Sequence, residues 1–207
     1  MPELPEVEAQ RRTLEAHLLH AEITTINHLE QGGGPREGLY DDKVIAESTA
    51  PETLAAALLG KTVVATRRRG KQLWLELGAK AASGCTSSLL VHLGMTGCLC
   101  VRGKAAPRYK NFAVDPSWPP RFTKLELLLM SSDGEEVALA FTDPRRFGRI
   151  LLRGPDALAS PPLSTLAPDP IVAPPQPAAF RAAFSKLSAP VKAVLLDQNK
   201  LVCGVGN

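Results

Sequence analysis

Apolar positions along the first 153 residues recur with two different periods. Val7, Leu14 and Leu18 fall on one stripe at helical spacing, and Pro5 with early glutamates suits a helix start, so a helix is predicted from Pro5 to about Leu19. Pro51 to Leu59 reads as a short second helix, closed by Gly60. Nearly everything else up to Arg153 consists of short runs rich in Val, Leu and Thr, separated by Gly- and Pro-containing segments. The runs Ile23–His28, Thr62–Arg68, Gln72–Leu77, Leu89–Leu93, Leu125–Met130, Val137–Phe141 and Ile150–Leu152 are predicted strands. The expected architecture is α+β: an N-terminal helix plus a β-sandwich over residues 1–153.

Beyond Arg153 the pattern changes. Residues 154–179 hold eight prolines and little charge, which predicts an extended linker. Helical patterning returns over Phe180–Leu187 and Val191–Gln198, with Pro190 placed to open the second helix. Two short helices offer little apolar area for a core, so residues 180–207 read as a short, incomplete helical module. Val191, Val194, Leu195 and Leu201 are expected to present apolar surface there.

Composition adds little until its distribution is considered. No run of 18 or more apolar residues occurs, so no membrane-spanning helix is predicted, and Glu3, Glu6 and Glu8 give the N-terminus the wrong sign for a targeting signal. The formal net charge is only +3. Between Lys61 and Leu75, however, stand Lys61, Arg67, Arg68, Arg69 and Lys71 with no acid, and Arg145, Arg146, Arg149 and Arg153 form a second cluster. Such clusters suit a phosphate backbone, and they equally suit a solvated strand edge kept soluble by charge. Cys85, Cys98, Cys100 and Cys203 lack the spacing of a zinc site and read as free thiols, so no metal or other cofactor is expected.

The opening Met1-Pro2-Glu3-Leu4-Pro5-Glu6 carries candidate chemistry. Removal of Met1 would leave Pro2 as a secondary amine, and an α-amino group titrates at roughly 7.7–8.0, so a useful fraction is unprotonated near neutrality. Such an amine can attack a sugar C1′ and form an iminium intermediate. The positive helix end would lower its pKa, Glu3 and Glu6 would raise it, and Glu3 is placed for general acid–base work. The same residues are also ordinary helix-starting chemistry.

Five blocks in order decide between these readings: Met1 to Glu8; Arg67-Arg68-Arg69-Gly70-Lys71-Gln72-Leu73-Trp74-Leu75-Glu76-Leu77; His92-Leu93-Gly94-Met95-Thr96-Gly97; Thr142-Asp143-Pro144-Arg145-Arg146-Phe147-Gly148; and Leu195-Leu196-Asp197-Gln198 with Gly204-Val205-Gly206-Asn207. Together they resemble the formamidopyrimidine-DNA glycosylases, which excise oxidised purines from DNA. The resemblance implies Pro2 as nucleophile, Glu3 as acid and base, and Lys71 as a catalytic lysine touching phosphate beside the lesion. It implies further that Met95 fills the place of the flipped nucleotide, Arg145 faces the orphaned cytosine and Phe147 wedges between bases. Glu6, His92, Lys192 and Asn207 match positions at the DNA. The implied partner is double-stranded DNA with an oxidised purine or an abasic site, bound by a monomer.

Departures from the family pattern qualify this expectation. The paired helices of a helix–two-turn–helix module and the following β-hairpin, zinc-bearing in most bacterial members, are not found after Asn207. A truncated, weakly active or inactive lesion-binding chain, or an incomplete gene model, is therefore the alternative expectation. The Lys71–Leu77 wording and Arg108-Tyr109-Lys110 resemble the plant-type branch, which implies a nuclear enzyme, and Leu4 favours purine lesions.

Overall fold

A computed structural model describes residues 2–47, 49–79, 84–107, 109 and 113–207. Helix α1 (Leu4–Leu18) comes first, followed by β1 (Glu22–Asn27) and α2 (Pro51–Leu58). Seven strands follow: β2 (Lys61–Arg69), β3 (Gln72–Ala79), β4 (Cys85–His92), β5 (Cys98–Val101), β6 (Thr123–Met130), β7 (Glu136–Thr142) and β8 (Arg149–Arg153). Two short helices close the chain, α3 (Pro177–Phe184) and α4 (Val191–Leu196).

The eight strands are joined in the order β5-β7-β6-β1-β2-β3-β4-β8, every pair antiparallel. At its centre β1 and β2 are registered through Glu22 and Thr62 alone. There the sheet folds over, so that Leu73, Leu75 and Leu89 from one half share a core with Leu125, Leu127, Leu139 and Phe141 from the other. Two layers thus enclose one apolar interior, which is the predicted sandwich. Helix α1 plugs its open side with the predicted stripe, Val7, Leu14 and Leu18, all buried.

Strand β5 was not predicted. All four of its residues are buried, so the period-2 alternation that marks a strand is missing. Residues 154–176 carry 310 turns at Ala157–Ala159 and Leu163–Thr165 rather than a uniformly extended path. Leu163 and Ala157 are buried with Trp74, Leu90 and Leu151 in a second apolar cluster, and each large side chain so buried contributes about 1.5–3 kcal/mol. This strap is therefore packed against the sheet. Near the C-terminal end, Val194 and Leu201 are buried rather than exposed, while Val191 does present apolar surface.

Candidate functional site

Pro2 and Glu3 precede the first turn of α1, and the Glu3 backbone N–H donates to the Glu6 carboxylate at 3.0 Å. This reciprocal arrangement uses one of the free N–H groups that every helix start must satisfy. Pro2 itself is buried in the wall of a cleft of about 360 Å³, whose lining includes Lys71, Gln72, His92, Gln198 and Asn207. Lys71 Nζ lies 2.5 Å from Glu3 Oε2. From the other side, Gly206 closes on the same carboxylate: a Cβ there would stand 1.6 Å from Glu3 Oε2. The Pro2 ring, the Glu3 carboxylate and the Lys71 ammonium are thus brought close together.

Lys71 is held there by a tight hairpin between β2 and β3. Arg69 pairs with Gln72, and Gly70 takes the left-handed conformation (φ +56°) that such two-residue turns require. Asp169, in the strap, locks the turn. Its Oδ2 accepts from the Gly70 N–H (2.8 Å) and from Arg68 Nη1 (2.6 Å), while Oδ1 accepts from the Ile171 and Val172 N–H groups. Burial pushes the Asp169 carboxyl upward, but these hydrogen bonds outweigh it and hold the group below its ordinary range. Arg68 also meets Glu8 at 3.1 Å. Glu8 is pulled down to about 2, first by Arg11, against some burial, and then by Arg12 and Arg68. Arg69 donates to the Leu166 carbonyl at 2.7 Å, a second tie between hairpin and strap.

His92 ends β4, level with Gln72 and Arg149 on the neighbouring strands. Its Nδ1 accepts from the Gly94 N–H at 3.2 Å. Burial first, then the charges of Lys71 and Arg149, lower its pKa, so the ring is neutral near pH 7 with its proton on Nε2. A hydrogen-bond donor therefore lines the cleft without a full charge.

A ridge adjoins this cleft. Met95 is 39% and Phe147 44% exposed, and the exposed Arg145 guanidinium sits 5.1 Å from the Phe147 ring centre. Asp143, fully buried, binds the two loops together. Its Oδ1 accepts from Thr96 Oγ1 (2.8 Å) and the Arg145 N–H (3.2 Å), and its Oδ2 accepts from the Gly148 N–H (2.6 Å). At Gly94 (φ +61°) a Cβ would come within 2.4 Å of the Phe147 backbone, so only glycine permits this crossing.

Pro2, Glu3, Lys71, His92 and Asn207 are thus gathered at one cleft, with Met95, Arg145 and Phe147 on the adjoining ridge. Glu6 is turned to the helix start. Lys192, exposed on the first turn of α4, is not among the cleft-lining residues. Arg108 and Lys110 lie outside the described residues. The basic clusters are in good part internally paired: Arg67 with Glu76, Arg68 with Asp169, Arg146 with Asp41 and Arg153 with Glu47. Three supporting residues escaped the sequence reading. Asp143 and Gln198 stood inside recognised blocks, and Gln198 braces the last turn by accepting from the Gly204 N–H and donating to the Val205 carbonyl. Asp169, flanked by prolines, gave no signal.

Among the described residues no three His, Cys, Asp or Glu side chains gather as a metal site, and no helix is long and apolar enough to cross a membrane. All four cysteines are free thiols, with the Cys98 and Cys100 sulfurs 3.4 Å apart inside β5.

Residues 1–150 match the family model for the formamidopyrimidine-DNA glycosylase N-terminal domain. The chain belongs to the formamidopyrimidine-DNA glycosylase family. It is 35% identical over its whole length to the Arabidopsis thaliana formamidopyrimidine-DNA glycosylase, of which it spans 48%. Identity to the Hahella chejuensis glycosylase is 33%, and the chain covers 63% of that protein. Among solved structures, the Lactococcus lactis glycosylase non-covalently bound to DNA containing an AP site superposes with a TM-score of 0.71, at 29% identity, over 100% of this chain and 66% of that one. The same enzyme in complex with DNA containing N7-benzyl-Fapy-dG gives 0.71 at 30% identity. The chain therefore spans between about half and two thirds of these relatives' lengths.

Proposed function

We propose that this chain excises oxidised purines, 8-oxoguanine and formamidopyrimidines, from double-stranded DNA and cleaves the resulting abasic strand. The observation that carries this reading is the meeting of Pro2 and Lys71 in one cleft, with Glu3 ion-paired to Lys71 and the exposed Met95 and Phe147 on the adjoining loops. With Met1 removed, the Pro2 nitrogen attacks C1′. The glycosidic bond breaks and the base leaves with its electron pair; Glu3 takes the proton of the Pro2 amine and passes it to the ring oxygen as the sugar ring opens and the iminium forms. Loss of a C2′ proton then expels the 3′ phosphate, and a second elimination expels the 5′ phosphate. Lys71 binds phosphate beside the lesion and, with Glu3, spreads charge across the reacting centre.

Base removal requires a flipped nucleotide. Met95 takes its place in the stack, Phe147 wedges the neighbouring step and Arg145 addresses the unpaired cytosine. His92 Nε2–H, Asn207 and Lys192 serve the backbone, with Glu6 at the lesion side. The likeness to the Arabidopsis thaliana glycosylase supports the plant-type reading, and the proposal includes a nuclear enzyme that acts as a monomer. All of these steps use groups of the chain itself.

The test is borohydride trapping with duplex DNA carrying 8-oxoguanine or an abasic site. A covalent adduct with both substrates is expected from the protein lacking Met1, and none from Pro2→Gly or from protein retaining Met1. Undiminished adduct with Pro2→Gly would refute the amine mechanism. An adduct with the abasic site alone would mean that the amine chemistry survives without lesion recognition, and no adduct from the folded protein would favour the second reading, a weakly active or inactive chain.

A further inference from the structure

The ridge loop is anchored from inside the protein by a line of buried charges. Lys124 on β6 is buried, and its ammonium is ion-paired with the buried Glu30 carboxylate. The same ammonium lies 3.2 Å from Asp41 Oδ2. Asp41, also buried, then grips the Arg146 guanidinium with both oxygens, at 2.8 and 2.9 Å. Arg36 Nε stands 3.9 Å from the same Asp41 oxygen, so two carboxylates face three cations, and the chain of contacts runs from the sandwich interior outward to the residue between Arg145 and Phe147.

Arg146 occupies the left-handed region (φ 57°), a conformation that side-chain-bearing residues avoid unless something holds them. The two-pronged Asp41 contact holds its side chain, while Asp143 holds the loop backbone through the Arg145 and Gly148 N–H groups. Around this reversal, Arg145 and Phe147 are both exposed and in contact with each other. The segment carrying Asp41 makes a second, independent contact, since Lys43 Nζ stands 5.4 Å from the Phe147 ring centre. It is itself stitched to β8 by the Ile150 N–H to Val44 carbonyl bond (2.8 Å) and the Ala46 N–H to Ile150 carbonyl bond (3.1 Å). The loop is thus fixed at its tip and along its exit strand.

We propose that Glu30, Lys124, Asp41 and Arg146 act as positioning residues that set the 145–147 loop for insertion before DNA arrives. The inference rests on the wedge reading of Phe147 given above. A buried ion network adds little net stability over apolar packing, so its use here is geometric: a forked contact that allows one loop conformation. A preset wedge avoids ordering the loop during base extrusion, and loss of such presetting slows insertion on the order of tenfold or more.

The experiment uses duplex DNA with an uncleavable tetrahydrofuran abasic site beside 2-aminopurine, whose fluorescence rises when its neighbour is unstacked. Asp41→Asn, Lys124→Met and Arg146→Lys are compared with wild type by stopped flow, with circular dichroism to establish folding and anisotropy to measure duplex affinity. Arg146→Lys leaves the buried triad intact and removes only the fork, so it reads the proposal even where a buried variant does not fold. The expected result is a rise slowed about tenfold in folded variants, with duplex affinity largely retained. A rise at the wild-type rate in the folded variants, or no rise with wild type, overturns the proposal. Borohydride trapping on a single-stranded abasic oligonucleotide, which needs no wedge, runs in parallel. Failure of wild type to trap would count against Pro2 while leaving the fluorescence result to judge the loop. Trapping lost in the variants alone would show general damage and overturn the positioning role.

Discussion

Replacing Asp169 by alanine tests whether the strap holds the Lys71 hairpin. The substitution strips the Gly70 N–H and Arg68 of their shared acceptor and leaves Arg68, 4% exposed at its side chain, with Glu8 as its remaining carboxylate partner. Removing one member of a buried pair commonly costs about 3–5 kcal/mol, and the surviving Glu8 contact places this case near the lower bound. For a chain of this size that is a fall in Tm of roughly 10 °C. Urea unfolding followed by tryptophan emission should show a lower midpoint at an unchanged slope. A loss below about 1 kcal/mol, as for an exposed pair, would refute the reasoning. The pH dependence supplies a second check. Because the folded Asp169 carboxyl lies below its ordinary range, its contribution is complete above the unfolded value of about 3.9. It is lost as pH falls through the lower folded value, so wild type and Asp169→Ala should converge there.

Gly206→Ala should expel the Glu3 carboxylate from its seat and lower adduct formation at least about tenfold with little change in circular dichroism, whereas wild-type trapping would show that Glu3 moves aside freely. His92 has a folded pKa below its unfolded value of about 6.5, so its contribution is full above that value and is lost as pH falls through the folded one. His92→Asn should flatten that acid limb in pH-dependent unfolding, and an unaltered limb would assign it to other groups. Phe147→Ala removes a side chain already 44% exposed and should change stability by no more than about 0.5 kcal/mol while slowing 8-oxoguanine excision from duplex. A large stability loss would make Phe147 a packing residue instead.

The sandwich and α1 were legible because Val7, Leu14 and Leu18, and the Leu-rich strands, repeat at the periods of their elements. Strand β5 was not, since Cys98-Leu-Cys-Val101 is buried on both faces and has no alternation to read. Prolines predicted an extended linker over 154–179, yet α3 begins at Pro177 within it, and they said nothing of Leu163 or Asp169 packing down on the sheet. Local pattern reports backbone preference, while burial of a strap depends on residues about a hundred positions away. At the site, the motif residues were readable by resemblance. Their supports were not: Glu30, Asp41, Lys124 and Arg146 are dispersed in the chain and acquire meaning only when the fold brings them into one line.

The contacts of Asp169 with Gly70, of Arg69 with Leu166 and of Gly206 with Glu3 also bear on where this molecule can be cut. The stretch that matches the family's N-terminal domain stops at residue 150, but no mechanical seam runs there. A fragment trimmed to that point would leave Arg68 facing solvent, uncover Trp74 and take away one wall of the cleft. Sequence similarity marks the stretch shared with the family, whereas the packed unit runs on through the strap and the final glycine-rich turn.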